Sequence, residues 1–160
     1  MARIYPQRMT HRHEGPLVVF LIGMRVNRIL RPDLWMPVFM AMPRMLAELS
    51  ADSSSGLLGY RITVGAGGPL VIQYWKTPEQ LYAYAGDTSA EHRPAWAEFN
   101  RRARKVPGAV GIWHETYAVD RAESMYVGMP VTGLAAATGS REAAAGSRAA
   151  QRLGQPRTAA

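Results

Sequence analysis

His114 and Glu115 stand side by side in Gly108–Asp120, GAVGIWHETYAVD, a run whose Val110, Ile112, Trp113, Tyr117 and Val119 belong on a β-strand. Successive strand side chains point to opposite faces, so His114 falls with Val110 and Ile112, while Glu115 falls with Trp113, Tyr117 and Val119. Whichever face lies inward, one titratable group sits among apolar or aromatic neighbours. Burial of that kind requires a hydrogen-bond partner or a shifted pKa, and such perturbed groups collect at functional sites. The alternative is an edge strand from which both groups reach solvent. Further rings accompany them: Tyr74 and Trp75 close another strand, Tyr82 and Tyr84 lie on the following helix, and His92 precedes Trp96. Each ring also has a plain core reading, Trp96 and Trp113 above all. Together they have the form of a small-molecule pocket, apolar and aromatic with a few converging polar groups.

Other chemistries are excluded by missing residues. With no cysteine there is no disulfide, thiolate metal site or cysteine nucleophile. GAGG at 65–68 lacks the following Lys and precedes a strand, so it is not a phosphate-binding loop. His114 and Glu115 begin an HExxH string, but Ala118 stands where the second His would be. No GxSxG elbow is present. A metal site would need His92 and His114 to meet with a carboxylate; none is expected. His11 and His13 lie in a polar arm and are expected to be solvated.

The chain has 160 residues, enough for one core. Its longest apolar run, Pro16–Met24, falls far short of the ~20 residues that cross a membrane. No small-residue cleavage site follows that run, so neither a secretory signal nor a membrane span is expected, and the expected location is cytoplasmic. The net charge of +7 and pI near 10.2 invite a nucleic-acid reading, but the charge is dispersed. Arg141, Arg148, Arg152 and Arg157 against Glu142 give the C-terminal segment a surplus of three. The dense cluster Arg101, Arg102, Arg104 and Lys105 closes a helix, where cations are favourable without any partner. No nucleic-acid partner is expected.

The elements that must position the candidate residues follow from periodicity. Residues 1–15 read as a polar arm. Leu17–Arg28 is a strand apolar on both faces, which must be covered on both sides. Trp35, Val38, Phe39, Met42, Met45, Leu46 and Leu49 recur at three- and four-residue steps and make one helix face, in which Pro37 fits the first turn and Pro43 is expected to produce a kink. Leu57–Val64 and Leu70–Trp75 form a hairpin through GAGGP. Glu79–Ala85 is a helix with Thr77 as N-cap and Pro78 at its first position, and Trp96–Lys105 is a second. Gly108–Asp120 is the last strand. The order βαββαβ is a ferredoxin-like α+β plan, an antiparallel sheet with helices on one face, assigned to residues 16–120. The uncovered face carries bulky apolar groups, so a homodimer joining two sheets into a barrel is expected. Residues 121–138 read as an irregular arm on the body, and 139–160 as a disordered, dispensable tail.

WMPVFMAMPRMLAEL, GLLGY, YWKTPEQLYAYA, His92 with Trp96 and Phe99, VGIWHETYAV and the MYVGMP–TGL segment together resemble a bacterial and fungal family of monooxygenase-like proteins whose namesake acts in fumagillin biosynthesis. The resemblance spans roughly residues 3–138 and places the chain in the dimeric α/β-barrel group of antibiotic-biosynthesis-type monooxygenases. It implies a homodimer with a pocket between sheet and helices in each subunit, and oxygenation of a small aromatic or polyketide-like substrate without metal, flavin or other cofactor. His92 or His114 would then be the general base, with Glu115 fixing the histidine tautomer or binding a polar substituent. Asn27, Tyr74, Trp75, Tyr84, Trp96 and Tyr117 would contact the substrate. Haem-binding, haem-degrading or aldoxime-dehydratase-like barrel proteins are an alternative, because Asn27, Tyr84 and His92 occupy places comparable to a strand Asn, a helix aromatic and a haem-ligating His; Tyr84 departs from the Trp of those relatives. A non-catalytic dimeric ligand-binding module is the third reading.

Overall fold

The apolar residues of both faces of Leu17–Val26 place that strand at the interior of a sheet, with neighbours on either side. The computed structural model describes residues 3–154. In chain order the elements are β1 (Met9–His11), β2 (Leu17–Val26), α1 (Pro32–Ala51), β3 (Leu57–Gly65), β4 (Gly68–Trp75), α2 (Pro78–Gly86), α3 (His92–Lys105), β5 (Val110–Val119), α4 (Gly133–Thr138), β6 (Ser140–Glu142) and α5 (Ala149–Gly154). The main sheet is antiparallel in the order β3-β4-β2-β5, and α1, α2 and α3 cover one face, which is the ferredoxin-like arrangement expected from the βαββαβ pattern.

Register settles which residues share a face. His114 pairs with Ile22, which pairs with Val71, while Val18 pairs with both Trp75 and Ala118. The alternation therefore sends Val18, Phe20, Ile22 and Met24 of β2, Val71 and Trp75 of β4, and His114 of β5 to the helix side. There Val18, Leu49, Trp75 and Leu81 form the core, with Phe20, Leu57 and Tyr84 packed against it.

Local chemistry explains the helices. Thr77 Oγ1 accepts the Gln80 amide at 3.2 Å and Pro78 follows it, as the N-cap pattern requires. Helix α3 begins four residues earlier than the periodicity suggested, at His92; Pro94 falls in its first turn, where its missing N–H leaves no helical bond unmade. Helix α1 runs as one element from Pro32 to Ala51 with Pro37 and Pro43 inside it. The hairpin between β3 and β4 turns at Ala66 and Gly67, with Gly65 opposite Gly68. Gly68 has φ +108°, and a Cβ there would lie 2.1 Å from the Met24 carbonyl oxygen of the neighbouring strand, so only glycine fits.

Two expectations about the ends of the chain are corrected. Arm residues 1–15 are not merely polar: β1 pairs antiparallel with β6, and Met9 and Thr10 are buried. Within 139–160, expected to be a disordered tail, Ser140–Glu142 is that partner strand and Ala149–Gly154 is helical; residues 155–160 lie outside the described residues. Arg152 forks onto Glu123 and also donates to the Ser147 carbonyl at 2.6 Å, which anchors α5. His11 is likewise half-buried instead of solvated, with Nδ1 2.8 Å from Ser124 Oγ. The short helix α4 packs mainly on β3, over the face of the sheet away from α1–α3. Among the described residues no helix is long and apolar enough to cross a membrane.

Candidate active site

Between the sheet and its helices lies a cavity of about 370 Å³, within the range of small-molecule pockets, ~300–1,000 Å³. The sheet contributes Phe20, Ile22, Met24, Ile112, His114 and Thr116; α1 contributes Val38, Phe39, Met42, Pro43 and Met45; α2 and α3 contribute Leu81, Tyr82, His92, Trp96 and Phe99. Phe39, Tyr82 and Trp96 are also exposed and mark its mouth. No Asp, Glu, Lys or Arg is in the lining among the described residues. Its polar equipment is two imidazoles, the Thr116 and Tyr82 hydroxyls and the indole N–H of Trp96.

His92 is placed by a clamp between helices. Glu48 of α1 accepts the Tyr84 hydroxyl at 2.7 Å and the Glu91 backbone N–H at 3.2 and 3.3 Å, joining the end of α2 to the head of α3. The Tyr84 and His92 rings then lie 6.3 Å apart, and Tyr84 lies 6.3 Å from the Trp75 indole beneath it. His92 Nδ1 is buried without a partner. Burial lowers the His92 pKa below 6.5, assisted by Arg93 and opposed by the Ala85 backbone. The imidazole is therefore neutral at pH 7, as a proton acceptor must be. Burial also raises the Tyr84 pKa, with the Glu48 hydrogen bond adding to it, so Tyr84 stays a phenol. His114 projects from β5 onto the same cavity, its ring 5.6 Å from Phe20. Because β5 is an edge strand, His114 keeps access to solvent.

The structure gathers three of the sequence candidates, His92, His114 and Trp96, on one cavity, with Tyr84 behind His92. The others lie elsewhere. Glu115 and Tyr117 point to the opposite face of the sheet, where the Tyr117 hydroxyl donates to Glu115 at 2.6 Å; Glu115 cannot orient the His114 imidazole of its own chain. Tyr74 shares that face, half-buried beneath α4 with its hydroxyl against Gly133. Trp75 is on the cavity side but 0% exposed, its indole N–H satisfied by Gln73 Oε1 at 2.9 Å, so it is a core residue and not a ligand contact. Asn27 closes the far end of the β2–β5 pair, donating from Nδ2 to the Gly108 carbonyl at 2.9 Å. The trio Asn27, Tyr84 and His92 is thus not assembled around the cavity, and the first two side chains are committed to other partners, which does not suit a haem pocket. No cluster of His, Asp and Glu able to hold a metal occurs among the described residues.

Sequence reasoning missed Glu48, Thr116 and the methionine wall of Met24, Met42 and Met45. The α1 stripe pointed to the last two methionines, and alternation within β5 already sets Thr116 on the His114 face, but only strand register reveals that Phe20 and Met24 share it.

The family model for monooxygenase af470-like proteins matches residues 17–134, which contain every cavity-lining residue. No curated protein matches the chain. Similar solved structures include a conserved protein of unknown function from Bacteroides thetaiotaomicron (11% identity, covering 67% of this chain and 100% of that one, TM-score 0.47). Rv0793 from Mycobacterium tuberculosis is another (17% identity, 68% and 99% covered, TM-score 0.45). A third, from Caulobacter crescentus and provisionally described as an antibiotic biosynthesis monooxygenase, shares 18% identity over 64% of this chain and 89% of that one, with a TM-score of 0.43.

Proposed function

This chain belongs to the monooxygenase af470-like family, and we propose on that premise that it oxygenates a small, electron-rich aromatic or polyketide-like molecule held between sheet and helices. The observation that carries the reading is the cavity lining, in which two imidazoles are set among methionine and aromatic carbon with no charged side chain. A substrate of this class reduces dioxygen itself once it has lost a proton, so the protein supplies a base, a dry chamber and orientation, and the scheme needs no metal or flavin. One oxygen atom enters the product; the other leaves as water with two hydrogens from the substrate. His92, kept neutral by burial, is the proposed base, and His114 is the second candidate.

A homodimer is part of the proposal. On the sheet face away from the helices, α4 covers the β3 side and leaves Trp113 and Tyr117 of β5 40% and 50% exposed beside Val19 and Leu21 of β2. The Trp113 indole covers Gly23, where an added Cβ would come within 2.6 Å of it, and Glu115, held by the Tyr117 hydroxyl, is the acid of this otherwise apolar patch, the surface proposed to receive a second sheet.

Turnover of a panel of hydroxylated naphthalenes, measured as oxygen uptake with a chelator present and as incorporation of heavy-isotope oxygen into product, tests the activity. Loss of turnover in His92→Ala is expected. Turnover retained in both His92→Ala and His114→Ala would overturn the base assignment, and a monomer in native mass spectrometry would overturn the dimer.

A further inference from the structure

Residues 28–31 make a tight turn at the end of the sheet where β2 finishes. The Arg31 N–H closes it on the Arg28 carbonyl at 3.0 Å, and the Trp35 indole N–H pins the Ile29 carbonyl at 3.1 Å. Turn centres normally carry Gly, Asn, Asp, Ser or Pro. This one carries Ile29 and Leu30, 74% and 91% exposed. A turn held by its backbone needs neither side chain. The charges around it are one-sided. Arg25 donates to the Ala66 carbonyl at 3.3 Å and Arg102 to the Asp33 carbonyl at 2.8 Å, so the tip of the β3–β4 hairpin and the last turn of α3 lie at this same end. Asp33 is taken by Arg31 at 2.7 Å, and Glu98, further back on α3, by Arg101 and Arg102. Arg25, Arg28, Arg104 and Lys105 remain exposed and without an ion pair among the described residues. The acids Asp52, Glu79 and Asp120 sit at the opposite end, where β2 starts opposite Val119 and β4 finishes at Trp75.

From this juxtaposition we infer that the 28–31 end is a peripheral membrane contact, at which Ile29 and Leu30 enter the acyl boundary of a bilayer while Arg25, Arg28, Arg104 and Lys105 meet anionic headgroups. A small apolar anchor alone holds a protein on a bilayer only marginally, and stable attachment takes a second, electrostatic signal. Both signals are present at this one end. A second copy seated here would set cations against cations. A nucleic acid would use the cations and leave the two aliphatic side chains in water. The contact crosses no membrane and shares no residue with the cavity or with the sheet patch proposed for the dimer, so it stands whether or not the oxygenase reading does.

Vesicle flotation tests this on the full chain with two probes, phosphatidylcholine vesicles and vesicles containing about one-third phosphatidylglycerol. Binding to the anionic vesicles is expected, roughly tenfold or more tighter than to phosphatidylcholine alone. Ile29→Ser with Leu30→Ser should weaken it roughly tenfold, and Arg104→Gln with Lys105→Gln on the order of twentyfold, while Lys76→Gln at the opposite end changes it less than about twofold. These positions are all exposed, so the variants are expected to fold. The chain has no cysteine, so Leu30→Cys gives a single attachment point for a polarity-sensitive dye. Its emission should shift to the blue on anionic vesicles, and that of a Lys76→Cys label should not. No binding to the anionic vesicles, an unshifted Leu30→Cys label, or equal binding by the serine pair would each overturn the inference. A DNA duplex that displaces the chain from vesicles and binds the serine pair undiminished would assign the cations to nucleic acid, and a dimer abolished by the serine pair would assign the turn to a second copy; either result overturns it too.

Discussion

Removing the carboxylate of Glu48 should loosen the head of α3 and with it His92. Glu48→Ala deletes at once the acceptor for the Tyr84 hydroxyl, at 2.7 Å, and for the Glu91 N–H, at 3.2 and 3.3 Å. Hydrogen bonds to a charged acceptor are worth about 1.5–3 kcal/mol each; the bonds from Glu91 are long and exposed, so they count at or below the low end, and the total is about 2–4 kcal/mol. For a chain of this size that corresponds to a melting temperature lower by on the order of 8 °C. Glu48→Gln keeps an acceptor but not the charge and should cost about half as much. Trp75 fluorescence in a urea titration is a suitable probe, because that indole lies beneath Tyr84. The double-mutant cycle with Tyr84→Phe should give a coupling of about 1–2 kcal/mol, and single-mutant costs that simply add, within about 0.5 kcal/mol, would refute the clamp. A second reading of the same bond is the phenol itself, whose pKa is raised first by burial and then by Glu48, and should fall back toward 10 in Glu48→Ala.

Acid should weaken the fold earlier than carboxylate protonation alone requires. His92 and His11 have native pKa values held below 6.5, in each case mainly by burial; the cation is disfavoured in the folded state, so stability is complete above pH 6.5 and is lost as pH falls through the lowered native values. A urea midpoint flat from pH 8 down to pH 5 would contradict this. Gly68→Ala forces a side chain into φ +108° and against the Met24 carbonyl, and should destabilise by about 2 kcal/mol or more, read as a shift in the same midpoint. Truncation after Thr138 removes β6 and the Arg152–Glu123 fork, and should lower the melting temperature by roughly 4–8 °C, equivalent to about 2 kcal/mol; an unchanged melt would restore the view of this segment as dispensable.

The sheet and the three covering helices were legible because their signals are long. Ten-residue strands such as Val110–Val119 alternate through several periods, and the α1 stripe recurs over four turns. Three-residue strands carry no period: β1 is held by β6 and by the bridge from Met9 to Tyr126, both distant in sequence, and nothing in MTH or SRE betrays the pairing. The site was half legible for a related reason. Alternation correctly parted His114 from Glu115 but could not say which face the helices cover. Tyr74 and Trp75, adjacent in the chain, were grouped together although the pleat sends them to opposite sides. Trp75 and Asn27 are the kinds of residue that bind ligands, but each is consumed by an internal partner: Gln73, two residues away on the same strand face, and Gly108, which lies far off in sequence. Glu48 offered no signal at all, since an isolated acid on the flank of a helix normally faces water.

Under the proposed oxygenation, a chamber walled in thioether and ring carbon, with no formal charge in its lining, would treat reactant and product unequally. In the proposed reaction one oxygen enters and two hydrogens leave, so the product gains a carbonyl, a polar group whose burial without a partner costs roughly 1–3 kcal/mol. Turnover would then drive its own clearance, because the oxidised molecule partitions outward past Phe39, Tyr82 and Trp96 while the greasier precursor partitions in. Such an enzyme needs no hinged door to escape inhibition by what it makes.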